Sequence, residues 1–456
     1  MAQTAILPNS LPDAPHSKRE DWLTIILVGL AHGSSHFFQL VLPSLYVSLA
    51  AAFDLDFARL GMLASIFFVV SGLCQVASGF VVDKVGGRTA LWFGISLFAL
   101  SAALIALSNG YTMLVIAAVI GGLGNAVFHP ADFYILNHRI APSRLGHAFS
   151  THNLTGTLGW ALAPVFVASI TLAFGWQAAA WSVMVLMLVI LALTIGGRRL
   201  LDAGQAADAA GRVTQPVANP SVQSSSIPNA SHPAPTRAIP GQPVVSTSSG
   251  HAPAPSAPNV LVTLLTSPAL LGAFLFFCCL TISLSAVQNY TIPILSGLYG
   301  FSVMTASTAL SFYLIGQACG LIAGGFLVSP TMRSESIVFG SLVMAALFIF
   351  VLAMGWIPVS LAVPVVGLAG FCSGMSGPSR DMLVRRVTPK KSVGSVYGLV
   401  YSGLDVGSAL GPLLFGIMLD AGWSHGPWFG ATASFIAGAL IATYIGRMAS
   451  RTPAAA

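Results

Sequence analysis

"TQPVANPSVQSSSIPNASHPAPTRAIPGQPVVSTSSGHAPAPSAPN", residues 214–259, divides the chain. It is rich in Pro, Ser and Ala and nearly free of large apolar side chains, so it buries too little surface to offset the entropy of ordering it. A flexible cytoplasmic linker is expected over residues 200–259. On either side lie apolar stretches long enough to cross a bilayer, which takes about 20 residues each. Six precede the linker, at 22–51, 59–82, 88–108, 112–138, 147–174 and 176–197. Six follow it, at 267–297, 302–328, 335–354, 358–384, 393–420 and 426–446. The expected fold is an all-α polytopic membrane protein of twelve transmembrane helices, built as two six-helix bundles over 22–199 and 260–447, with cytoplasmic tails at 1–21 and 448–456.

Composition agrees. Of 456 residues, 55% are hydrophobic and 7% charged, where soluble domains carry roughly 25% charge. The first 21 residues are polar, with neither the short apolar core nor the cleavage site of a signal peptide. The formal net charge of +6 raises the question of an anionic or nucleic-acid partner. Its placement argues against one. Of 19 Lys and Arg residues, only Arg59 falls in an outward loop and Arg380 in a span if both termini are cytoplasmic. That asymmetry is the positive-inside rule, so the basic balance reports topology. The five cysteines fall within spans and show no metal-ligand spacing.

The two halves are related. At an offset of 248, Pro130 pairs with Pro378, Gly146 with Gly394, Gly159 with Gly407 and Pro164 with Pro412. At 250, Gln39 pairs with Asn289, Pro43 with Pro293 and Leu45 with Leu295. Duplication of a six-helix unit is a common plan of secondary transporters, with the substrate site between the halves.

"GFVVDKVGGR", Gly79 to Arg88, lies in the short loop after span two. It resembles the Gly-x-x-x-Asp-Arg/Lys-x-Gly-Arg/Lys-Arg/Lys loop of the major facilitator superfamily, with Gly87 at a usually basic position. "VFHP" followed by "RLGHAFSTHNLTGTLGWALAP" resembles the fosmidomycin-resistance-like branch, although Ala131 stands between His-Pro and the acidic Asp132. The resemblance implies a central cavity lined by spans one, four, seven and ten, and a latching role for Asp83, Lys84 and Arg88. In the second half the corresponding "GFLVSPTMR", Gly325 to Arg333, lacks the aspartate.

Ionisable groups inside a membrane are costly and usually face a cavity or a partner. His32, His36, Gln39 and Pro43 share one stripe of span one by their spacing. Either the histidines bond helix carbonyls, or they face substrate and, because imidazole titrates near neutrality, carry protons. Gln288, Asn289 and Tyr290 on span seven supply uncharged donors and acceptors at the matching depth. In span four, His129 and Asp132 are three apart and share a face, while Pro130 frees a carbonyl near residue 126. Two arrangements are open for Asp132: a local bond to His129, or a pair with Arg380, its equivalent at an offset of 248, closing a cytoplasmic gate. Arg380 has Asp381 and Asp405 as competing partners. His152 continues the face formed by Gly156, Gly159 and Ala163 of span five, a spacing that lets helices approach closely.

The expected function is secondary active transport by alternating access. Proton-coupled export of a small organic solute or drug leads, with His32, His36, His129 and Asp132 on the proton path and Gln39, Gln288, Asn289, Tyr290 and Arg380 as cavity candidates. Asp83, Lys84, Arg88, Asp132, Arg380, Asp381 and Asp405 are the gating candidates. Against export, "LVIAAVIGGLGNA" lacks the arginine that many drug–proton antiporters carry in span four. Uptake of a small organic anion is the alternative, and a non-transporting sensor a weaker one. No nucleophile triad, carboxylate pair or phosphate-binding glycine loop occurs at suitable spacing, so an enzyme, a cofactor and a resident metal are not expected. The remaining expectations are a monomer in the bacterial inner membrane, partnered by solute, protons and lipid and not by nucleic acid.

Overall fold

A computed structural model describes residues 17–202, 267–327, 333–387 and 393–451. The linker expected over 200–259 and the two tails lie largely outside them. The described chain is helical, and twelve helical stretches are long and apolar enough to span a membrane. Their bounds fall within a few residues of the sequence reading at most ends. The first starts earlier, at Lys18, where Ser17 caps the helix and the Glu20 side chain returns to the Ser17 backbone. That capping box satisfies two otherwise unpaired backbone donors.

Three spans are interrupted, each just before a proline. Span one runs Lys18–Gln39 and Val41–Phe53, breaking at Leu40 ahead of Pro43. Span four runs Tyr111–Asn125 and Phe128–Arg139, ahead of Pro130. Span ten runs Val359–Met375 and Gly377–Val387, ahead of Pro378. Proline cannot donate to the carbonyl four residues back, so Pro130 leaves the Ala126 carbonyl unbonded within its helix. Ser78 of span two fills the vacancy, its hydroxyl donating to the Ala126 oxygen at 2.8 Å. Matching breaks in spans four and ten are the structural expression of the repeat.

Packing repeats as well. Span one (Lys18–Phe53) lies along span five (Leu145–Phe174), and span seven (Pro268–Tyr299) along span eleven (Val393–Asp420). Small residues allow these crossings. A Cβ on Gly159 would strike the Gly33 carbonyl oxygen, and one on its repeat partner Gly407 would strike Thr281 and the Cys278 carbonyl. Gly87, the unusual position of the loop motif, has the same cause. It is buried, and a Cβ there would stand 2.9 Å from the Ala131 carbonyl oxygen and 2.8 Å from Ile135. Across the halves, span two (Phe57–Val85) meets span eleven, and span five meets span eight (Val303–Leu327).

Among the described residues, a group of hydrogen bonds joins the halves at one end. The Tyr46 hydroxyl donates to Asn289 Oδ1 at 3.2 Å. The Asp420 carboxylate accepts from the backbone N–H groups of Phe57 and Ala58 at 2.8 and 2.6 Å. A carboxylate from one half thus sits on the positive end of a helix from the other. Tyr290, bonded within its own half to the Pro412 carbonyl, adds a weak bond across the halves to Phe57 O at 3.5 Å.

Two outcomes are expected. Gly159→Leu forces spans one and five apart and costs about 1–3 kcal/mol by overpacking, visible as a lower Tm in detergent. Gly146→Leu, on the same helix with open space around it, leaves Tm unchanged. Asp420→Ala removes an exposed carboxylate from a helix N-terminus, worth about 1 kcal/mol. The sealed end should then open more often, by roughly fivefold, measured as faster labelling by a membrane-impermeant maleimide of a cysteine placed at buried Leu49 in a cysteine-free background.

Candidate functional site

Between the halves lies a cavity of about 380 Å³. Span one presents His32, His36 and Gln39 to it, span four His129, span seven Gln288 and Asn289, span ten Arg380 and Asp381, and span eleven Asp405. Of the stripe read on span one, His32, His36 and Gln39 therefore face the cavity, and Pro43 does not line it. Tyr290 does not line it; that side chain is buried at the sealed end, on the Pro412 carbonyl. Asp83 and Lys84 are exposed at the far end of span two. Arg88, beside them, binds the Asp202 carboxylate at 2.9 Å and lies over Trp92.

Asp132 stands behind the cavity wall and is fully buried. Its Oδ2 lies 2.9 Å from His32 Nδ1 and 3.1 Å from His152 Nε2. In the tautomers that satisfy these contacts, both imidazoles donate and the carboxylate accepts. Neither arrangement left open by the sequence is adopted: Asp132 is bonded to spans one and five, while Arg380 bonds Asp381 at 2.9 Å and stacks on Phe277. The reason is position. Asp132 points into the first half's own interior, onto spans one and five, while Arg380 lines the space between the halves.

The imidazoles form a compact group. His32 and His152 stack with centroids 3.5 Å apart, and His32 lies 4.5 Å from His36 and 5.3 Å from His129. Gly156 of span five makes room, since a Cβ there would come within 2.9 Å of both His32 Nε2 and His36 Cε1. Beyond His36, an amide chain ties three further helices together. Trp160 Nε1 donates to Gln39 Oε1 at 2.9 Å, Gln39 Nε2 to Asn125 Oδ1 at 3.0 Å, and Asn125 Nδ2 to Ser71 at 2.8 Å. His36 packs on the Trp160 ring at 4.2 Å.

Sequence reasoning did not assign His152, Trp160 or Asn125 to the site. His152 had a signal, because its spacing from Gly156 and Gly159 puts it on the face toward span one. Asn125 and Trp160 carry none, being 86 and 121 residues from Gln39.

Two pseudo-symmetric six-helix bundles with a polar cavity between them are an architecture shared by many secondary transporters. The sequence profile of the Major Facilitator Superfamily matches residues 25–379 and 279–456, and the chain belongs to that family. It is similar to the fosmidomycin resistance protein of Escherichia coli K12, at 28% identity over 166 residues, 36% of this chain and 41% of that protein. An uncharacterised MFS-type transporter of Bacillus subtilis 168 is 28% identical over 169 residues, 37% of this chain and 41% of the relative. The matched stretch thus spans about two-fifths of those relatives. In fold, the chain resembles a bacterial homologue of the human lysosomal transporter Spinster in its inward-facing, unoccupied conformation. The TM-score is 0.67 at 13% identity, covering 96% of this chain and all of that one.

The amide chain gives a test that separates it from the imidazoles. Trp160→Phe keeps the ring against His36 but removes the bond to Gln39, a loss of about 1 kcal/mol. A Tm lowered by a few degrees is expected, with the imidazole signals of a histidine-selective NMR spectrum largely unmoved.

Proposed function

We propose that the protein exports a small organic solute in exchange for protons. One observation carries the reading. Asp132, a carboxylate out of contact with solvent, is bonded to His32, and His32 lines the cavity. Removing one partner of a buried charged hydrogen bond leaves an unsatisfied group at a cost of about 1–3 kcal/mol or more. Protonation at Asp132 or His32 and occupation of the cavity therefore act on the same side chain. Linkage between the two follows, since a ligand that moves His32 changes the affinity for the proton by the same factor.

With the basic loops on the cytoplasmic side, the end sealed by Asp420 is the outer one and the cavity faces the cytoplasm. Loading a solute from the cell interior fits that orientation, and the similarity to a protein named for fosmidomycin resistance supports export. Proton-coupled uptake of a small organic anion is the second reading. It is favoured by Arg380 in the cavity wall and by similarity to proteins named as a probable L-galactonate transporter and a hexuronate transporter.

Proteoliposomes separate the two. At one proton per solute, a pH gradient of one unit drives about tenfold accumulation. Exchange predicts that solute accumulates when the lumen is the more acid side. Co-transport predicts accumulation when the outside is. Asp132→Asn should abolish gradient-driven accumulation while retaining solute counterflow. Wild-type accumulation by that variant would remove Asp132 from the proton path.

A further inference from the structure

We propose that His32, His129 and His152, oriented by Asp132, form a binding site for a divalent transition-metal ion in the wall of the cavity. One potential ligand nitrogen from each of the three rings lies within 4.8 Å of the other two. Tetrahedral zinc, with metal–nitrogen bonds near 2.0–2.1 Å, needs its ligand atoms about 3.4 Å apart. His32 and His152 are stacked with their planes 24° apart, so closing that difference requires the two rings to turn toward His129 until their nitrogens converge on one ion. Neutral imidazole is the common ligand of zinc, copper, nickel and iron.

The second observation lies in the polar atoms around the rings. A metal-binding histidine characteristically donates its other ring N–H to a carboxylate, which fixes the tautomer and aims the free nitrogen at the ion. Asp132 does this for two rings at once, holding His32 by Nδ1 and His152 by Nε2. The remaining nitrogen of each is left to coordinate. On His152 that atom, Nδ1, is buried with no hydrogen-bond partner, as is the second carboxylate oxygen, Asp132 Oδ1. Both side chains are almost wholly out of solvent, at 2% and 0% exposure. Uncompensated buried polar atoms are costly, and one ion bound by the rings would satisfy the His152 nitrogen. Entry runs from the cavity, which both His32 and His129 line. His36 stands beside the group but is turned onto Trp160.

Proton coupling and ion binding involve the same side chains but are independent claims. The ion site is therefore tested without transport, on the full chain purified in detergent through a tag containing no histidine. Titration with Co²⁺ should show one equivalent per chain with the intense visible d–d absorption of tetrahedral cobalt. His152→Asn should weaken binding at least tenfold, and Asp132→Asn, acting through the two rings it holds, by roughly 10–100-fold. His138→Asn, at an exposed position, and a variant lacking His232 and His251 should bind as wild type. His129→Cys keeps a ligand at that position and should add a thiolate-to-cobalt charge-transfer band. That variant decides the matter if His152→Asn does not fold. A six-coordinate spectrum, undiminished binding by His152→Asn, or His129→Cys without the new band overturns the site. Gradient-driven transport that persists in EDTA leaves the ion site standing and bears only on coupling.

Discussion

The bond between the Asp132 carboxylate and two imidazoles is the interaction on which the first half of the molecule is arranged. A carboxylate inside a helical bundle has no water to accept from, so donors must come from neighbouring helices. His32 of span one and His152 of span five supply them. Those two spans can come close enough because Gly33, Gly156 and Gly159 carry no side chain at the crossing. Span four presents Asp132 there, and through Ser78 span two covers the carbonyl that Pro130 exposes. A proline, three glycines and a serine thus serve one buried acid.

The second half uses the same scaffold without that chemistry. Pro378 breaks span ten as Pro130 breaks span four, and Gly407 permits a close crossing as Gly159 does. At the position of Asp132 it carries Arg380, which lines the cavity and pairs with its neighbour Asp381. His32, His36 and His129 line one wall with Asp132 buried behind it, and Arg380 lines the other beside Asp381 and Asp405. Their separation follows from the asymmetry of the two copies, and the sealed end, held by Asp420 on the helix start at Phe57, keeps the walls facing one cavity.

Much of this was legible in the sequence because it rests on local physics. Hydrophobic length marks a span whatever it packs against, which is why the twelve spans could be read directly. The freed carbonyl near residue 126 could be read because the missing N–H belongs to Pro130 itself, whereas Pro164, Pro293, Pro364 and Pro412 sit inside uninterrupted helices, so a proline alone does not place a break. The stripe of His32, His36 and Gln39 could be read because helical periodicity aligns neighbours three and four apart. Gly87 looked like a departure from the loop motif, and its reason, the Ala131 carbonyl 2.9 Å from where a Cβ would stand, lies on a different helix.

The partner of Asp132 shows where local reading ends. His129 is three residues away and on the same helical face, and Arg380 is its equivalent in the repeat, so both were natural candidates. The residues that bond it are His32, 100 positions earlier, and His152, 20 later. Trp160 and Asn125 likewise reach Gln39 only through the packing of spans one, four and five. The sequence by itself determined the spans, their pairing into two copies and the polar faces, because each depends on residue types and spacings along the chain. Which polar side chains share a hydrogen bond was decided only by the tertiary structure, because contacts between helices depend on how closely their small residues let the backbones approach.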